Sequence, residues 1–140
     1  MRALALDIGD KTIGIAASDL LGITAQGVET IRRTSNKDDL KRLGELVEQF
    51  EVKTFVIGFP KNMDGTEGTR CELVKKFAEK LSAAFPQVNQ IFWDERLSTV
   101  AATKNLIAAN VSRTKRKKVI DKMAAVYILQ GYLDSTKGVY

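Results

Sequence analysis

The sequence contains no histidine, and this absence removes several classes of enzyme chemistry at once. Without histidine the chain has no Ser-His-Asp or Cys-His nucleophile, no imidazole general base and no histidine-ligated zinc or iron site. The single cysteine, Cys71, rules out an intrachain disulfide and a zinc site built from several thiolates. Any metal ion must therefore be held mainly by carboxylates, and such sites favour Mg²⁺ or Mn²⁺.

The chain also lacks a long apolar segment. No stretch approaches the roughly 20 apolar residues that a membrane-spanning helix needs. The first ten residues, MRALALDIGD, carry an aspartate inside an apolar run that is too short for a signal peptide. We therefore expect a cytoplasmic protein with no membrane partner. The length of 140 residues suits one compact domain over 1–140.

The net charge of +5 comes from one segment. Residues 111–122, VSRTKRKKVIDK, contain six of the 22 basic residues and one of the 17 acidic residues, so the rest of the chain has 16 of each sign. A concentrated basic segment on a neutral chain predicts an anionic partner, with nucleic acid as the first candidate. For a lysine run considered alone, a solvated helix end is the simpler interpretation.

Apolar periodicity predicts five strands and four helices. The strands are expected at 3–8, 12–18, 26–32, 53–59 and 88–93, and the helices at 37–50, 71–84, 99–109 and 115–133. Three consecutive strands followed by alternating helices and strands indicate an α/β fold, a mixed sheet with helices on its faces. We interpret Phe92 and Trp93 as core residues, so no aromatic platform for single-stranded nucleic acid is expected.

Acidic residues stand at three places where the pattern predicts burial. Asp7 interrupts the first strand, Asp94 and Glu95 follow the strand VNQIFW, and Asp121 lies in the apolar helix VIDKMAAVYILQGYL. Alanines three and four residues after Asp121 allow that helix to approach a sheet closely. If it packs on the sheet, Asp121 reaches towards Asp7 and the end of the fifth strand.

A cluster of carboxylates in a low-dielectric pocket costs several kcal/mol unless cations neutralise it. Two divalent cations about 4 Å apart do so in phosphodiester hydrolysis, and they also activate water without a histidine. Each acid has a structural interpretation as well: Asp7 can accept backbone amides in the hairpin, Asp94 can cap a helix, and Asp121 can pair with a lysine. Their joint occurrence beside the basic segment favours a metal-dependent nuclease.

Four segments of the sequence resemble the YqgF/RuvX family. In chain order they are LALDIGDKTIGIAASD, GFPKNMDGTEG, WDERLST and KKVIDKMAAVYILQGYL, and they extend from residue 4 to residue 133. Members of this bacterial family are described as pre-16S ribosomal RNA nucleases or as Holliday junction resolvases. The resemblance implies a ribonuclease H-like fold, with a five-stranded mixed sheet whose first three strands are antiparallel and with flanking helices.

The resemblance also implies which acids are catalytic. It assigns Asp7, Glu95 and Asp121 as catalytic residues and as ligands of Mg²⁺ or Mn²⁺, with Asp94 as the rival of Glu95. Nucleic-acid contacts are predicted in the basic segment and in the loop PKNMDGTEGTR, where asparagine is also a common turn residue. The predicted contact residues are Arg113, Lys115, Arg116, Lys117, Lys118, Lys61 and Asn62.

The leading interpretation is a nuclease that processes the 5′ end of precursor 16S rRNA in ribosome biogenesis. Its partners would be precursor rRNA or branched DNA and ribosomal particles, and it would act as a monomer or a homodimer. The first alternative is a Holliday junction resolvase acting on four-way DNA. A second is a non-catalytic RNA-binding module that uses the basic segment alone. A third is an ATPase, because LDIGDKTIG resembles the phosphate-binding hairpin of actin-like ATPases. Those proteins enclose the nucleotide between two lobes, and this chain is long enough for only one.

Overall fold

The secondary structure follows the predicted order of strands and helices. The computed structural model describes residues 2–62, 64–97 and 113–136, with side chains from residue 123 onwards in the last segment. The strands are β1 (Arg2–Ile8), β2 (Thr12–Ser18), β3 (Ala25–Arg32), β4 (Val52–Phe59) and β5 (Asn89–Asp94). The helices are α1 (Asn36–Phe50), α2 (Thr69–Ala84) and α3 (Arg113–Thr136), and a 3₁₀ turn, Glu95–Leu97, follows β5. The helix predicted at 99–109 lies outside the described residues.

The five strands form one mixed sheet in the order β3-β2-β1-β4-β5. Strand β2 pairs antiparallel with both β1 and β3, whereas β4 pairs parallel with both β1 and β5. The predicted mixed sheet with three antiparallel strands at its start is confirmed. Because β1, β4 and β5 run in the same direction, their carboxyl-terminal ends meet at one side of the sheet, which we call the carboxyl edge.

One face of the sheet packs against α1 and α2, and we call it the α1/α2 face. Residues Leu4, Leu6 and Ile8 of β1 project into this core together with Phe55 and Ile57 of β4. Helix α1 begins where Ser35 caps it, its Oγ accepting a 3.1 Å hydrogen bond from the amide of Asp38. The predicted apolar stripe of α1 is confirmed. Its members Leu43 and Leu46 are fully buried, and Leu40, Val47 and Phe50 are partly buried against the same core.

The opposite face packs against α3, and we call it the α3 face. Small residues of the sheet, Ala3, Ala5 and Ala16, contact a helix surface that includes Ala124 and Ala125. Their small volume lets the helix backbone approach the sheet closely. Helix α3 is also anchored at the beginning of β3, where Gln130 accepts a 3.0 Å hydrogen bond from the amide of Ala25. Within the residues that the structure describes, no helix is both long and apolar enough to cross a membrane.

Candidate active site

Asp7 lies near the end of β1, on the α3 face and close to the carboxyl edge. Side chains alternate along a strand, so Asp7 shares this face with Ala3 and Ala5. Only 7% of Asp7 is exposed. Asp7, the acid inside the apolar pattern of the first strand, is therefore a buried carboxylate on the face that α3 covers.

Glycines flank Asp7 on both neighbouring strands. In β2 the residue opposite Asp7 is Gly14. In β4 the register pairs Leu6 with Ile57, so the next step places Asp7 beside Gly58. Neighbouring strands lie about 4.8 Å apart, so Asp7 has no side chain directly beside it on either adjacent strand. At Gly58 the absence of a Cβ lets Ile128 of α3 and Glu95 come close to the sheet.

Glu95 approaches the same point from the end of β5. It is the first residue of the 3₁₀ turn, where strand alternation ends. A Cβ added at Gly58 would lie 3.5 Å from the carboxyl carbon of Glu95 and 2.6 Å from Cδ1 of Ile128 in α3. The carboxyl group of Glu95 is thus on the α3 face, above Gly58, and Gly58 is the residue of β4 beside Asp7. The two acids therefore lie on the same face near the same edge of the sheet, and carboxylates are the ligands that a hard divalent cation prefers.

Asp94 has a different environment from its neighbour Glu95. Its carboxylate accepts hydrogen bonds from the guanidinium of Arg96, the shortest at 2.7 Å, and from the Arg96 backbone amide at 3.0 Å. Side-chain hydrogen bonding from Arg96 lowers the pKa of Asp94 below its ordinary value. Strand alternation places Asp94 on the side of β5 opposite Trp93, which packs with the α3 face. The sequence offers both Glu95 and Asp94 as candidates for one ligand position. In the structure their side chains lie on opposite faces of the sheet.

The third predicted acid, Asp121, lies in the first half of α3. Helical periodicity places position 121 on the side of α3 that also carries positions 125 and 128. It precedes Ile128 by two turns, about 10.5 Å along the helix axis. The structure describes the backbone at Asp121 and not its side chain. Among the side chains that are described, no group of three or more acids or cysteines is arranged to hold a metal ion.

The predicted basic contacts of α3 occupy its first two turns. The backbone of this segment is helical from Arg113 onwards. The structure describes the backbone of these residues and not their side chains. They are Arg113, Lys115, Arg116, Lys117 and Lys118.

The loop after β4 contains the other two predicted contact residues, Lys61 and Asn62. Asn62 is engaged inside the loop, since its Nδ2 donates a 2.9 Å hydrogen bond to Thr66 Oγ1 and its backbone bonds to Thr66 and Gly65. Lys61 forms no ion pair with the part of the chain that the structure describes. The loop geometry makes Asn62 an organiser of the turn. The charge of Lys61 helps to lower the pKa values of Glu67 and Asp94, and its ammonium group lies 5.9 Å from the centroid of the Phe59 ring.

Two arginines that sequence reasoning missed hold the turn that follows Asp7. Arg33 Nη1 donates a 2.9 Å hydrogen bond to the carbonyl of Gly9, and Arg70 Nη2 donates a 3.3 Å bond to the carbonyl of Ile8. Arg33 also pairs with Asp39 at 3.0 Å, and Asp39 is only 2% exposed. The sequence signal was weak because Asp39 resembles an ordinary acid in the first turn of a helix.

Comparison with known proteins gives a consistent set of relatives. A family model described as "RuvX: Holliday junction resolvase" matches residues 1–135. A protein of Geobacillus sp. named "Putative pre-16S rRNA nuclease" is 58% identical over 137 residues, which cover 96% of this chain and 99% of the relative. A Bacillus subtilis protein of the same name is 57% identical, with 96% of this chain and 99% of the relative covered. These relatives are matched over almost their whole length.

Solved structures extend the comparison to the fold. RuvC of T. thermophilus in complex with a Holliday junction superposes with a TM-score of 0.63 at 10% sequence identity, covering 98% of this chain and 97% of that one. The resolvase of Fowlpox virus, also bound to junction DNA, gives a TM-score of 0.55 at 11% identity, covering 98% and 99%. At such identities the likeness concerns the fold alone. The predicted ribonuclease H-like architecture is confirmed.

Proposed function

The chain belongs to the RuvX family, and we propose that it is a divalent-metal-dependent nuclease that cleaves structured nucleic acid, with the 5′ end of precursor 16S rRNA as its substrate. The observation that carries the proposal is the placement of Asp7 and Glu95 on the same face of the sheet, both next to Gly58. A buried acid with a second acid on the same face is costly as a structural device and useful as a cation site. The names of the relatives support the choice of substrate.

The donor set fits a hard divalent cation. Asp7 and Glu95 offer only carboxylate oxygens, and Asp121 would add another from α3, so Mg²⁺ or Mn²⁺ is the expected ion. When bound, such an ion polarises the phosphate and makes a water molecule a stronger nucleophile. The absence of histidine from the chain is consistent with a reaction in which no side chain has to supply an imidazole base.

Two arginines position the candidate acid Asp7, and several basic residues position the substrate. Arg33 and Arg70 hold the carbonyls of Ile8 and Gly9, which keeps the end of β1 and therefore Asp7 in place. Lys61 and the basic residues of the first two turns of α3 would bind backbone phosphates. Such contacts orient nucleic acid without reading its bases. We infer that residues 1–140 act as one nuclease domain on ribosomal precursor particles in the cytoplasm.

A side-by-side cleavage assay tests the proposal. The full chain is incubated with a precursor 16S rRNA fragment that carries its 5′ leader, with Mn²⁺, with Mg²⁺ and with a chelator. We expect cleavage with either metal, none with the chelator, and none with the variant Asp7→Asn. Cleavage that survives the chelator or Asp7→Asn would contradict the proposal.

Four-way DNA is the second candidate substrate, and the description of the matching family favours it. The same assay therefore includes a four-way DNA junction at equal concentration. Preferential cleavage of the junction, together with a dimeric mass in solution, would assign the resolvase activity. A protein that binds the RNA but cleaves neither substrate would instead be a binding module.

A further inference from the structure

The interpretation of Phe92 as a core residue is wrong. The strand pattern predicted that Phe92 and Trp93 both belong to the core. Trp93 does pack with the α3 core, but 47% of Phe92 is exposed. The physical reason is position: β5 is the last strand in the order of the sheet, so it has a paired strand on one side only.

The exposed ring belongs to a small aromatic and cationic cluster. Phe92 packs edge-on against Phe59, with ring centroids 5.3 Å apart and an interplanar angle of 64°. Phe59 is 6% exposed, so it forms the floor of the cluster. The ammonium groups of Lys61 and Lys75 lie 5.9 and 5.8 Å from the centroid of the Phe59 ring. We call these four residues the Phe92 cluster.

The two lysines differ in how much of their charge is available. Lys75 forms an ion pair with Glu67, and this hydrogen bond raises the pKa of Lys75. Lys61 has no such pair within the described part of the chain. The cluster therefore combines a half-exposed aromatic ring with a lysine that has no ion pair in the described part of the chain, a combination suited to an unpaired base and its phosphate.

The Phe92 cluster lies near the same end of β5 as Glu95, on the opposite face of the sheet. Phe92 precedes Glu95 by three residues, so their Cα atoms are at most about 11 Å apart. Phe92 faces the α1/α2 side of β5, whereas Glu95 lies on the α3 side, above Gly58. A strand of nucleic acid that crosses the carboxyl edge can contact both.

We propose that the Phe92 cluster is a stacking site for an unpaired nucleotide of a strand that crosses the carboxyl edge to reach the candidate active site. This inference rests on the proposed nuclease function and specifies its substrate as having a single-stranded segment at the cleavage site. Phe92 supplies the ring on which the base stacks, and Lys61 binds the adjacent phosphate. Stacking of this kind tolerates any base, so the site selects for unpaired structure rather than for sequence.

The test measures binding without cleavage. Fluorescence anisotropy of the full chain in chelator gives the affinity for a 12-nucleotide single-stranded RNA and for the same sequence in a duplex. We expect Phe92→Ala to weaken single-strand binding about tenfold and duplex binding by less than about twofold. Phe92→Leu should show a similar loss because it keeps apolar contact with Phe59 but lacks a π face. Phe92→Tyr should retain the affinity of the unmodified chain.

Salt dependence separates stacking from charge and from misfolding. Phe92→Ala should leave the slope of log affinity against log salt unchanged, whereas Lys61→Gln should reduce it, because only the latter removes a phosphate contact. Leu21→Ala is the matched control, since Leu21 is 80% exposed on the turn between β2 and β3 and should not affect binding. Equal affinity of Phe92→Ala and the unmodified chain for the single strand would overturn the inference, as would an equal loss for strand and duplex.

The outcomes also distinguish this inference from the function on which it rests. If cleavage depends on metal and on Asp7 while Phe92→Ala binds normally, the stacking site is wrong and the nuclease proposal stands. If Phe92 controls single-strand binding but neither RNA nor junction is cleaved, the stacking site stands and the nuclease proposal is wrong.

Discussion

Strand β1 has large aliphatic side chains on one face and small or acidic side chains on the other. Leu4, Leu6 and Ile8 project to the α1/α2 face, whereas Ala3, Ala5 and Asp7 project to the α3 face. Strand β4 repeats the difference, with Phe55, Ile57 and Phe59 on the first face and Val56 and Gly58 on the second. The same alternation thus builds a thick core on one side and a close helix contact with an acid on the other.

The two faces also treat buried charge differently. On the α1/α2 side, the buried carboxylate of Asp39 has the guanidinium of Arg33 at 3.0 Å. On the α3 side, Asp7 is buried beside Gly58, and the carboxyl carbon of Glu95 lies 3.5 Å from where a Cβ of Gly58 would be. The Arg33–Asp39 ion pair joins two elements of the fold, whereas the acids of the α3 face are, under the function proposed above, ligands for a divalent cation.

The largest expected effect concerns the two adjacent acids at the end of β5. Glu95→Gln should reduce cleavage of precursor rRNA about 1,000-fold, the scale seen when one charged or dipolar group is lost from an active site. Asp94→Asn should reduce it less than about tenfold, because Asp94 bonds to Arg96 on the other side of the strand. Rates at saturating Mn²⁺ measure both variants. The reverse ranking would show that Asp94 is the ligand.

A second experiment tests the stabilising role of the α1/α2 face. Asp39→Ala should lower the free energy of unfolding by about 3 kcal/mol, since it leaves the side chain of Arg33, which is only 13% exposed, without its carboxylate partner. Glu45→Ala is the matched control because it removes an exposed ion pair with Arg42, and it should cost less than about 0.5 kcal/mol. Urea unfolding followed by circular dichroism gives both values. Equal small losses would mean that the buried pair adds nothing to stability.

The smallest effect tests the close contact of α3 with the sheet. A Cβ at Gly58 would lie 2.6 Å from Cδ1 of Ile128, so Gly58→Ala should destabilise the protein by about 1–3 kcal/mol. Ile128→Val removes that methyl group and should cost about 1 kcal/mol alone. The double variant should lose less free energy of unfolding than the two single variants lose together, because Ile128→Val removes the methyl group that would clash with the new Cβ. Additive losses in urea unfolding would argue against a clash at Gly58.

Much of the fold was determined by the sequence itself. Apolar alternation and the spacing of turn residues predicted the strands, the helices on either side of β4 and the antiparallel start of the sheet, because these depend on local periodicity. The burial of Asp7 on a strand was predicted in the same way. The four motifs predicted the family, and a relative with 58% identity agrees with them.

Only the tertiary structure decided the features that depend on contacts between distant residues. Glu95 lies on the α3 face near Gly58, whereas Asp94 bonds to Arg96, and only the structure shows these contacts. Asp39 is buried because Arg33 reaches it across the amino end of α1. Phe92 is exposed on β5, an edge strand of the sheet, and the strand pattern does not record how fully each face is covered. Periodicity reports which face a residue occupies, and packing alone determines what covers that face.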